Sequence, residues 1–119
     1  MRRIDCHVHL VGDGSSGSGC HIRMDWPHQR FLSRVMLREA GISPGVLGKD
    51  LDAAYVARLV EQVTESDLDT AVLLAQDLPH TESGEPIPEK AGFFVPNDYL
   101  LDVCDQHPGL FLPAVSIHP

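Results

Sequence analysis

Residues 69–77 read DTAVLLAQD: five consecutive apolar residues, Ala71 to Ala75, held between acidic ends. A short apolar run of this kind is a strand buried on both faces. A chain containing such a strand must cover it on each side, which calls for helices crossing over a parallel sheet.

The neighbouring segments supply those helices. In LDAAYVARLVEQVTES, Leu51, Tyr55, Leu59 and Val63 recur every fourth residue beside Val56 and Val60, while Arg58, Glu61 and Glu65 fall mostly elsewhere. This spacing predicts a helix over 51–66. NDYLLDVCDQH, with Leu100, Val103 and Cys104 on one face and Asn97 as its cap, predicts another over 97–107. A third is expected over 26–40, capped by Asp25, with Pro27 in its first turn, an apolar stripe of Phe31, Leu32, Val35, Met36 and Ala40, and Gly41 at its end. Strands are expected at about 3–10, 69–76 and 110–117. Between them, GDGSSGSG at 12–19 reads as a flexible lid or linker, 42–50 as a connector, and the proline-rich 78–96 as a long loop. The 119 residues suit one α/β domain.

The net charge of −8 argues against nucleic acid or an anionic membrane as the main partner, since both select basic surfaces. No apolar run reaches the length of a spanning helix or a signal peptide, so a cytoplasmic protein is expected. Cys6, Cys20 and Cys104 lack framework spacing and are expected to be reduced thiols.

The chemistry gathers at the start of the chain. In RIDCHVHL, strand alternation puts Asp5, His7 and His9 on one face and Cys6, Val8 and Leu10 on the other. Two imidazoles at this spacing can hold one divalent ion, zinc first among the candidates. Asp5 would orient a ligand histidine or add an oxygen. With 7 histidines in the chain, a chance His-x-His is expected about 0.4 times. Position strengthens the pair: it ends a strand and precedes a glycine-rich loop, where sites gather in parallel α/β folds.

IDCHVHL resembles the first-strand motif of the amidohydrolase superfamily, metal-dependent hydrolases built on a (β/α)8 barrel. FFVPNDYLLDVCDQHPGLFLPAVSIHP resembles the amidohydrolase-related (amidohydrolase-2) branch of that superfamily. The resemblance implies that His7 and His9 bind a catalytic metal. It also implies a small-molecule substrate, with hydrolysis of an amide, ester or lactone, or decarboxylation, as the reaction. The family's further histidines and its aspartate, from later strands, have no counterparts here. A barrel of this type needs about 250 residues. The expected architecture is therefore the N-terminal three-strand portion of a (β/α)8 barrel. The chain is expected to be inactive alone and to self-associate through its open sheet edges.

Other readings compete. A polymerase-and-histidinol-phosphatase-type phosphoesterase opens with a similar Asp-x-His-x-His, and a non-catalytic α/β metal-binding or interaction module is the reading from another class. His118, after the third strand, could face the mouth and touch substrate. Asp77 ends the second strand on the same rim. Cys20 and His21 would join His7 and His9 only if the Gly/Ser loop folded back. His28, His80 and His107 read as solvated surface.

Overall fold

The computed structural model describes residues 1–118. Three parallel strands form the main sheet: β1 (Ile4–His9), β3 (Thr70–Leu74) and β5 (Phe111–Ala114), in the order β1-β3-β5. β2 (His21–Ile22) and β4 (Phe93–Phe94) form a small antiparallel ribbon between them in sequence. The helices are α1 (Pro27–Glu39), α2 (Leu51–Glu65) and α3 (Asn97–Gln106). The mixed α/β class and the parallel sheet agree with the sequence reading.

The main core explains the order of the elements. Ala71, Leu73 and Ala75 alternate along and just beyond β3, and all three are buried. They share one cluster with Leu59 and Val63 of α2, with Leu100, Val103 and Cys104 of α3, and with Phe111 of β5. The two crossover helices thus serve one face of β3. Val72 and Leu74, on the other face, are only half-buried. This corrects the expectation of a strand buried on both faces: the chain's helices supply one full layer. β1 is an edge strand, and every residue of it except Val8 is exposed.

Three further details depart from expectation. The first helix buries Leu37, which packs with Ile42 and Leu51, while Phe31, Leu32 and Met36 of the expected inner stripe face solvent. Its inner side is set by the neighbours available to Leu37, and no other layer reaches the stripe. Asp25 does not cap this helix: its carboxylate pairs with Arg23, and the Trp26 N–H donates to the Gln29 side chain at 3.1 Å. Asn97 does not cap α3 either. Its side chain bonds both ways with the Ser116 backbone, at 2.8 and 2.9 Å, and ties the helix to the segment after β5.

The long 78–96 segment is more organised than a loop. It carries β4 and a 3-10 turn at Pro88–Lys90, with bridges joining Gln76 to Val95 and His80 to Pro86.

Candidate metal centre

His7 and His9 lie on β1, whose last residue, His9, stands at the carboxyl end of the sheet. His9 sits across from Leu74, on the face of the sheet opposite the main core. Val8 sits across from Leu73 and packs into that core. The two imidazoles converge, with Nε2 to Nε2 3.2 Å and ring centroids 5.0 Å apart. Two nitrogens bound to one tetrahedral zinc at about 2.0–2.1 Å lie about 3.3–3.4 Å from each other. At this distance one imidazole nitrogen donates a hydrogen bond to the other, and the same spacing matches that of a two-imidazole chelate.

Two contacts hold His9 in place. Its ring meets the Phe93 ring edge-on at 5.9 Å, and its carbonyl accepts from the Tyr55 hydroxyl at 3.1 Å. Burial pushes the Tyr55 pKa up, so its proton stays available for that bond.

Asp5 is placed differently from the alternation rule. The register slips between Asp5 and Val8, and Asp5 sits across from Ala71, a residue of the core-facing set. A bulge of this kind breaks the strict period of two. The Asp5 Oδ1 accepts from the His7 backbone N–H at 3.0 Å and so fixes the local backbone of the pair. Among the described residues no cluster of three or more His, Cys, Asp or Glu is placed to hold a metal, so no third ligand of these types joins His7 and His9.

His118 stands against His80, ring centroids 4.0 Å apart. His80 is half-buried there rather than solvated. His107 is half-buried as well: its Nδ1 lies 3.0 Å from the Val103 carbonyl and its ring packs on Phe111. His21 and His28 are exposed. Cys20 is buried in the main core and makes no closed site with the histidines. Asp77 lines a cavity of about 310 Å³ with Phe94, Asn97, Asp98 and Ser116, beyond the carboxyl ends of β3 and β5. Asp77 is legible as the acidic end of the second strand and Asn97 as a helix-start residue. Phe94 and Ser116 reach the cavity through tertiary pairing, which leaves no local signal.

The loop after β1 holds the other residue that sequence reading passed over. Asp52, in the first turn of α2, is 1% exposed, yet it is charged and fully satisfied. Its carboxylate accepts from the backbone N–H groups of Asp13, Gly14 and Ser16 and from the hydroxyls of Ser16 and Ser18, at 2.7 to 3.2 Å. Burial alone raises this carboxyl, but the bonds from Ser18, Ser16 and Asp13 outweigh it and hold the pKa at about 2. Asp13 extends the knot by accepting from the Gly48 N–H at 2.6 Å. GDGSSGSG is therefore a cradle closed on an internal anion, not a free linker. Its donors were visible in the sequence, and the acid that fills it lies more than thirty residues away. Cys20 feels the same charge: burial pushes its thiol up to about 11, a Ser18 bond opposes that, and Asp52 and Asp13 add to it.

No helix among the described residues is long and apolar enough to cross a membrane. No family model matches the chain, and no curated protein or solved structure matches it.

Proposed function

We propose that His7 and His9 are metal ligands and that the chain supplies a three-strand sector of a metal-dependent hydrolase of the amidohydrolase-related type. The observation that carries this reading is the 3.2 Å approach of the two Nε2 atoms at the carboxyl end of a parallel strand. Consecutive strands in spatial order, with both crossover helices on one face, suit a sector of a (β/α)8 barrel. The histidines then occupy the opposite face, the inner wall of such a barrel.

A divalent ion, zinc by donor type, supplies an acidified water and polarises a carbonyl when bound. The chain's own contribution is placement. Phe93 and Tyr55 fix His9, and the Asp5 carboxylate fixes the backbone at His7. The Asp52 cradle pins the loop that leaves the strand. The substrate class is a small molecule with a hydrolysable amide, ester or lactone, or a carboxylate to be lost. His118, its ring against that of His80, is the candidate substrate contact beyond β5.

Zinc titration by calorimetry tests the ligand assignment. One ion per chain is expected, with binding weakened at least tenfold in His7→Ala and in His9→Ala. Equal affinity in the parent and both variants would overturn the reading.

A further inference from the structure

The outer face of α1 is both apolar and basic. Trp26, Phe31, Leu32 and Met36 are 63%, 69%, 56% and 62% exposed, although side chains of these types are the ones folding most favours burying. Arg30, Arg34 and Arg38 follow one another every four residues, forming one exposed stripe beside them. The outer face of α3 carries the complement: Asp98, Asp102 and Asp105 form an exposed acidic stripe, with Leu101 exposed among them. At 1.5 Å per residue the stripes are about 12 and about 10 Å long. Among the described residues none of these six charges is in an ion pair.

We propose that α1 of one copy of this chain docks on α3 of a second copy, arginines against aspartates, with Leu101 seated among Phe31, Leu32 and Met36. The areas agree with an unmet interface. The chain exposes 7434 Å², against about 6,400 Å² for a folded monomer of its 13.1 kDa mass. That excess of about 1,000 Å² is shared between the open edges of the sheet and exposed helix faces such as these. The radius of gyration, 14.7 Å, likewise exceeds the roughly 13.5 Å of a compact chain this long. Acidic and basic stripes on one molecule make a second copy the complementary partner. Reciprocal docking closes a dimer, and one-way docking builds a ladder. This contact uses helix faces rather than sheet edges, and it stands apart from the metal reading.

Sedimentation equilibrium of the 119-residue chain tests it, with two charge-reversed variants. Arg30 is left intact because its Nε holds the Met24 carbonyl at 2.8 Å. The parent should self-associate, more weakly at high salt. Arg34→Glu/Arg38→Glu and Asp102→Lys/Asp105→Lys should each lose at least tenfold in association alone. Mixed one to one, they should recover it, because each acidic stripe then meets a basic one. Circular dichroism checks that both variants keep their helices. A parent that stays monomeric would overturn the proposal, as would association insensitive to both reversals, or folded variants that fail to recover on mixing. Trp26, the 1 tryptophan of the chain, gives a separate optical readout: its emission should shift to the blue with protein concentration. A shift seen only on adding anionic vesicles would assign the face to a membrane and overturn the dimer.

Discussion

Gly12 passes so close to Asp52 that a Cβ at position 12 would lie 2.5 Å from the Asp52 Oδ1, and 3.0 Å from the Cys20 Sγ. Neither neighbour can retreat cheaply, since the carboxylate is held by five hydrogen bonds and Cys20 sits in the main core. Gly12→Ala should therefore cost about 1–3 kcal/mol, the range for overpacking a filled interior. Urea unfolding at neutral pH measures it, and an unchanged midpoint would deny the closeness of this packing.

Asp52 also predicts a pH dependence. Its folded pKa of about 2 lies below its ordinary 3.8. A depressed carboxyl stabilises the fold fully above its unfolded pKa and loses that contribution as pH falls through the folded value. The window is therefore pH 4 down to pH 2, and the contribution is about 2 kcal/mol at 1.36 kcal/mol per unit. Asp52→Asn should be less stable than the parent at pH 7 and should show less of this acid loss. Denaturant midpoints across that window compare the two.

The thiols should separate by environment. Cys6 is exposed, whereas Cys20 and Cys104 are buried and burial pushes both thiols up, Cys20 to about 11. In the native protein at pH 8 a disulfide reagent should label one thiol at least tenfold faster than the other two. Mass mapping should place the fast label on Cys6.

Tyr55→Phe removes the hydroxyl that donates to the His9 carbonyl. The loss should be about 0.5–1.5 kcal/mol of stability. Zinc affinity should fall too, because the strand end that presents His9 is less fixed. Thermal melts and zinc titration of the variant check the two effects.

Much of this was legible in the chain, and the misses have physical causes. The four-residue repeat of Leu51, Tyr55, Leu59 and Val63 marked α2 because its buried face is long and its core layer is present. The apolar repeat of α1 was just as regular, yet Phe31, Leu32 and Met36 of it face out, since periodicity reports a helix and not which of its neighbours exists. The histidine pair was legible because two residues apart on a strand is a local relationship. The Asp5 slip was not, because a bulge depends on what β3 offers across the register. The Gly/Ser loop read as loose because its anchor, Asp52, is remote in sequence.

His7 and His9 are proposed to bind one ion together. Cobalt(II) substitution followed by X-ray absorption at the metal edge tests it most directly. One cobalt per chain is expected, with two imidazole nitrogens bound to it and only one after His7→Ala or His9→Ala. Oxygen ligands alone, or an imidazole count unchanged by either substitution, would contradict the shared site.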